Sequence, residues 1–394
     1  MESMMQTDPI IFYIFVIFTG SAILATIALY ARQALLVAYI LLGIIVGPSG
    51  FAMVSDTSLI SSIADIGIIF LLFLLGLNLQ PQDLLNMLRK TTVLTLLSSL
   101  AFALLGMSCA LLFSFNLIDS LLIGAAAMFS STIIGLKLLP TTVLHHRHAG
   151  GVIVSILLLQ DILAILLLLV LEGVHQGGDK EWHEVLLLVL SLPFLIGFAS
   201  VFERYVLVKL IRRFDKIQEY IFLVTIGWCL GMAELATLLQ LSHEVGAFVG
   251  GVVLASSPIA RFIAESLKPL RDFFLIMFFF SLGASLDLDI LYQVLFPAVV
   301  LATVTLAAKP FVFRYLLVKL GEEPKISFEI GVRLGQISEF SLLIAVMALN
   351  TQIISHSASY LIQAATIITF IASSYYIVMT YPTPIAVSDR LRRD

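Results

Sequence analysis

The sequence predicts an all-α polytopic membrane protein of about thirteen transmembrane helices. Its composition is 60% hydrophobic and 12% charged, against roughly 45–50% and 25% for soluble domains. Its apolar runs follow one another between clusters of charge or Gly and Pro, and an offset of 207 residues lays the chain over itself. The net charge of −4 comes with basic residues in short loops, not in a stripe or tail, so nucleic acid is not a partner. The acidic start Met1–Pro9 argues against a cleavable signal peptide. Cys109 and Cys229 fall inside apolar runs and carry no disulfide or metal signature.

In order, the candidate spans lie near 9–30, 34–50, 57–78, 91–114, 118–139, 150–172, 184–207, 218–240, 243–257, 263–286, 290–318, 326–350 and 356–382. Those near 34–50 and 243–257 are short and Gly-rich, hence tilted or partly re-entrant. An odd number of spans puts the termini on opposite sides. Nearly all loop Lys and Arg fall on one side, with only Lys180 on the other, so the N-terminus is expected outside and the C-terminus in the cytoplasm.

At the 207-residue offset Gly43 meets Gly250, Leu75-Gly76 meets Leu282-Gly283, Gly124 meets Gly331 and Ser131 meets Ser338. A shift of seven spans turns the second copy over, the inverted-repeat plan of secondary transporters. The single domain 1–394 then divides into repeat one at about 9–172, a linker helix at about 184–207 and repeat two at about 218–382.

Within this frame the sixth span, with LLLQDILAILLLLVL at 157–171, is the informative one. Asp161 falls near the middle of a bilayer-length helix, where an Asp costs about 2.5–3.5 kcal/mol and usually marks an ion or proton pathway. The alternative is a protonated or paired structural carboxyl. Ser130, Ser131 and Thr132 in the fifth span correspond to Gly335, Gln336, Ser338 and Glu339 in the twelfth. Matching polar interruptions in two repeats point to unwound helices at a binding site, or else to ordinary interhelical hydrogen bonding. Lys309 and Arg333 are the basic residues within spans. Lys309 would face carbonyl ends or Asp161, and Arg333 would pair with Glu339 or serve transport.

SSTIIG at 130–135, LLLQDILAI at 157–165, VGAFVGGVVLASS at 245–257, FFSLGASLDL at 279–288, Lys309 and GQISEFSLLI at 335–344 together resemble the membrane domain of Kef-type potassium/proton antiporters, of the second monovalent cation:proton antiporter family. The resemblance implies a scaffold of spans 1–3 and 8–10 that dimerises, and a mobile core of spans 4–6 and 11–13 with two crossed, unwound helices. It makes Gln160-Asp161 the ion-binding motif and Lys309 the core lysine. It implies a homodimer in the bacterial inner membrane, with lipid around it and a cytoplasmic nucleotide-binding regulatory domain as a possible partner outside this sequence. Arg261 and Lys268 stand where that family has His and Glu, so glutathione control is not implied.

Other motifs are weaker. His145, His146, Arg147 and His148 form a pH-sensing or metal-binding cluster, or a solvated basic loop. HEVGA at 243–247 has Ala247 where a zinc protease needs its second histidine, and no enzyme is read from the chain. Gly43/Gly47 and Gly246/Gly250 have GxxxG spacing suited to a dimer interface, or to the close packing common in any helix bundle.

The expected function is therefore antiport of potassium, or of sodium, against protons, electroneutral and one for one. Asp161, Gln160, Ser130, Ser131 and Thr132 would bind the ion, while Lys309, Glu339 and Arg333 would compensate charge. No cofactor is expected, and no metal beyond the transported cation. A gated cation channel and, more distantly, a receptor are the other readings.

Overall fold

The computed structural model describes residues 9–31, 33–54, 58–78, 81–137, 148–176, 182–214, 217–239, 241, 243–255, 257 and 260–383. The helices are α1 Pro9–Tyr30, α2 Leu35–Val46, α3 Ser58–Asn78, α4 Pro81–Leu112, α5 Leu117–Met128, α6 Thr132–Lys137 and α7 His148–Gln176. Next come α8 Trp182–Phe202 and α9 Val208–Arg213, joined by a π turn at Glu203–Leu207, then α10 Gln218–Leu238, α11 His243–Ala255 and α12 Ala260–Ala284. The last four are α13 Leu288–Lys319, α14 Pro324–Arg333, α15 Glu339–Asn350 and α16 His356–Thr380. Among the described residues six helices are long and apolar enough to cross a membrane. The expected spans at 118–139 and 326–350 each contain two helices, because helical bonding stops after Met128 and after Arg333.

Helix starts follow the sequence. Asn116, Asp287, Ser338 and Ser355 each accept a backbone N–H of the first turn they precede. Pro324 occupies the first turn of α14, where its missing N–H costs nothing.

By packing, the described residues fall into two compact units, the first drawn from 1–21, 39–86 and 172–285 and the second from 22–38, 87–171 and 286–394. In the first unit α2 lies on α12 through Gly43 and Gly283, and α3 lies on α11 through Gly76 and Gly251. A Cβ at any of these glycines would collide with the facing backbone. Gly47 also meets Ala284, and Gly246 meets Met232 and Ala233. The two GxxxG faces are thus taken up inside the chain. Of the two readings of that spacing, packing within the bundle is the one these contacts show, because spacing shows that a backbone approaches closely without showing whose. Stacked rings at Phe18–Phe273 and Phe70–Phe274 continue the packing.

In the second unit Gly124 admits the backbone of Ala103 and Met107, while Gly331 admits Pro310 and Phe313. These contacts lie 207 residues apart in both partners, since Ala103 corresponds to Pro310. An apolar core of Leu94, Phe102, Ile153, Ile156, Leu157 and Phe313 backs the two helix interruptions.

Candidate functional site

Each interruption leaves carbonyls at the end of one helix and N–H groups at the start of the next without helical partners. In hydrocarbon every such group left unpaired costs several kcal/mol. Side chains supply the partners. At the first interruption, Phe129–Ser131, Gln160 accepts the Ser130 N–H at 3.0 Å and donates to Met128 O at 3.1 Å. Ser131 caps α6 by accepting the Ile134 N–H at 3.2 Å.

At the second, Leu334–Ser338, Thr369 accepts the Ile337 N–H at 3.1 Å and Ser338 accepts the Phe340 N–H at 3.1 Å. Gln336 donates to Arg333 O at 3.0 Å, and Ser373 donates to Gln336 Oε1 at 3.0 Å.

The two interruptions are tied to each other. Ser130 Oγ donates to Leu334 O at 2.8 Å, Gln336 Nε2 to Ser131 O at 3.4 Å and Ser341 Oγ to Ala126 O at 2.7 Å. Lys309, 0% exposed, bridges them. Its Nζ donates to Phe129 O at 2.7 Å, Gln336 O at 3.0 Å and Ser130 Oγ at 3.3 Å. An ammonium has three donors, so all are spent there and none is directed to Asp161. The Phe102 ring lies 5.4 Å from the nitrogen.

Asp161, one residue beyond Gln160 on α7, is 2% exposed and accepts the Thr132 hydroxyl at 3.1 Å, with its second oxygen at 3.4 Å. Thr132 opens α6, so the carboxylate faces the first turn of a helix, where negative charge is favoured. Of the four other residues expected to bind the ion, Thr132 is the one that hydrogen-bonds to Asp161. Gln160, Ser130 and Ser131 hold the backbone that presents it. Sequence reasoning groups these residues without telling which of them contacts the carboxylate and which hold the backbone.

Arg333 pairs with Glu329 at 2.9 Å, one helical turn away, and donates to Pro382 O at 3.0 Å, with the Tyr381 ring 5.4 Å from its guanidinium carbon. Glu339 opens α15 as Thr132 opens α6.

Two features go beyond the sequence reading, which has Gln336 only as one of the polar residues interrupting the twelfth span. Gln336 is completely buried and bonds four groups of the site. Asp119, 3% exposed, accepts the Ser355 N–H at 3.0 Å, the Ser355 hydroxyl at 2.7 Å and the Asn116 amide at 2.9 Å. The Asn116-x-x-Asp119 capping spacing was the available signal for the second. Of the histidine cluster, 145–147 lie outside the described residues. No cluster of three or more His, Cys, Asp or Glu able to hold a metal occurs among the described residues.

Comparison with known proteins adds the following. The family described as sodium/hydrogen exchanger, transmembrane, matches residues 14–380. The iron transporter MagA of Paramagnetospirillum magneticum is 30% identical over 352 residues, 88% of this chain and 80% of the relative. K(+) efflux antiporter 4 of Arabidopsis thaliana is 29% identical over 353 residues, 87% of this chain and 59% of the relative. The putative cation/proton antiporter YbaL of Escherichia coli is 27% identical over 361 residues, 88% of this chain and 64% of the relative. The chain therefore spans about three fifths of the length of these two antiporters. The sodium proton antiporter MjNhaP1 from Methanocaldococcus jannaschii, at 17% identity, superposes with a TM-score of 0.68 over 96% of this chain and 97% of that one, and so shares its fold.

Proposed function

The chain belongs to the sodium/hydrogen exchanger transmembrane family, and from that premise we propose that it exchanges a monovalent cation, potassium before sodium, for protons at Asp161. The carrying observation is a buried carboxylate whose hydrogen bond is to Thr132 at the start of α6. In this reading cation and proton compete for Asp161, so neither crosses alone. Thr132 supplies a neutral oxygen, and the second lone pair of Gln160 Oε1 supplies another. Lys309 neutralises the carbonyl ends of the interrupted helices and stays charged throughout, so one charge is exchanged for one.

The transport cycle is alternating access, with spans 4–6 and 11–13 moving against spans 1–3 and 8–10 in an inner-membrane homodimer, N-terminus outside. Its thirteen passes would include two crossed, unwound helices and two inverted repeats. The division of the chain into two packing units supports the moving and static parts. The glycine contacts that recur at the 207-residue offset support the repeats, and the bonds joining the two interruptions support the crossing.

Purified protein in liposomes, under an imposed pH gradient, tests this with potassium, sodium and, because MagA is named an iron transporter, ferrous iron. Proton movement that depends on potassium is the expected result. Current without obligatory proton movement would replace exchange by a channel.

A further inference from the structure

Apart from the ion site, α13, α14 and α16 enclose an open cavity of about 420 Å³, within the size range of ligand pockets. Its inner wall is Pro310 beside Lys309, Gly335 beside Gln336, and Ser373. Phe328 lies mid-way along α14, and Tyr376 lies toward the end of α16. Phe311, 62% exposed, and Tyr376, 50% exposed, form the rim. We propose that this cavity binds one acyl tail of a bilayer phospholipid.

The lining is mainly apolar, and its two inner hydroxyls already donate within the protein. The Thr303 hydroxyl donates to Val299 O at 2.7 Å and the Ser373 hydroxyl to Gln336 Oε1 at 3.0 Å. Pro310 has no N–H to offer. A buried water needs two to four polar partners, and in this mainly apolar lining the side chains offer only the Tyr376 hydroxyl at the rim and the acceptor lone pairs of Thr303 and Ser373. An apolar void left empty would forfeit dispersion contacts along its whole wall.

The medium at the mouth settles the occupant. Phe311 and Tyr376 both sit on helices long and apolar enough to cross the bilayer and both rings are largely exposed, so in this proposal the opening faces hydrocarbon. Tyr376 comes one turn before the end of α16. Tyrosine is favoured there at the level of headgroups, which anchors an ester while the tail enters. The filled cavity would buttress Gly335 and Pro310, and through Ser373 the Gln336 amide. Binding itself does not depend on the exchange reading.

The test uses the full chain in lipid nanodiscs doped with a phospholipid carrying a diazirine in its acyl tail, with adducts mapped by mass spectrometry after irradiation. Adducts should concentrate on Phe311, Phe328 and Tyr376, well above the exposed α1 residues Phe15, Ile23 and Ile27. Ala307→Trp and Ala372→Leu, which fill the cavity, should lower them to the α1 level while leaving α1 labelling unchanged. The milder Ala372→Leu carries the test if Ala307→Trp does not fold. Uniform labelling, or labelling insensitive to both variants, would overturn the proposal. So would displacement of the probe by equimolar free fatty acid, which would make the fatty acid the ligand, or a halved mass of Ala307→Trp in detergent, which would make the face a contact between copies.

Discussion

The two helix interruptions occupy corresponding positions, yet they are held in opposite ways. The first, Phe129–Ser131, borrows its amide from another helix, with Gln160 arriving from α7, while Lys309 from α13 serves both. The second, Leu334–Ser338, carries its own amide, Gln336, and needs from α16 only the hydroxyls of Thr369 and Ser373. The positions 207 residues from Gln160 and Asp161 are Ile367 and Ile368, and the position 207 residues before Lys309 is Phe102. The ammonium of Lys309 thus rests against the ring of its own counterpart. One half of the chain supplies the acid and the other supplies the lysine. Similar backbones can share a task this way because a single buried carboxylate is already expensive.

The sharpest way to break this asymmetry is Asp161→Asn. The amide keeps the shape and the Thr132 contact but cannot cycle a proton, so exchange should fall by about a hundredfold or more. Thermal stability in detergent should be retained. Adding Ile368→Asp to that variant should not restore exchange, since α16 approaches the second interruption with hydroxyls rather than an amide. Cation-dependent proton flux persisting in Asp161→Asn would remove the carboxylate from the mechanism.

Next in size is Lys309. Lys309→Met leaves Phe129 O and Gln336 O without their donor, at about 1–3 kcal/mol for each buried carbonyl. A lower melting temperature should result, and Lys309→Gln should recover part of it. Because Lys309 caps carbonyls instead of pairing with Asp161, the pH profile of exchange in Lys309→Gln should keep its position. A shifted profile would show that the lysine reaches the carboxylate during the cycle.

Gln336→Leu should cost about 1–3 kcal/mol of stability, because Ser131 O and Arg333 O lose a donor at once. The corresponding change at the first interruption, Gln160→Leu, should also slow exchange, since Gln160 holds Ser130 two residues before Thr132. If both variants lose stability alone, Gln160 is support without any part in ion binding.

Much of this was legible in the sequence because it depends on local chemistry. Ser130–Thr132 and Gly335–Glu339 stand where helices stop and restart. Asp161 is buried, as its apolar surroundings require. Partnership was not legible. Backbone carbonyls have no letter in a sequence, so the sequence left carbonyl ends and Asp161 as alternatives for Lys309, and only the fold gives Phe129 O and Gln336 O. Asp119 and Ser355, 236 residues apart, meet only through the fold. Gly43 and Gly246 reveal a close approach but not the surface that approaches. Arg333 pairs with Glu329 one turn away, a spacing visible in the sequence.

The smallest expected effect is none at all, and it bears on the same division of charge. Asp161 is the acid that bonds Thr132 at the first interruption, Gln160 does not titrate, and Lys309 holds three acceptors whose need for a donor does not change with the cation. One positive charge then moves each way. Moving a net charge through the membrane potential would be worth about 2.3 kcal/mol per 100 mV, a bias of roughly fiftyfold on the end point. Exchange in liposomes clamped at opposite potassium-independent potentials should therefore run at the same rate and reach the same end point. A clear acceleration or a displaced end point would mean that a second group gives up a proton in the cycle. Glu339, at the start of α15 where Thr132 stands in α6, is the group to substitute first, and Glu339→Gln should then restore indifference to voltage.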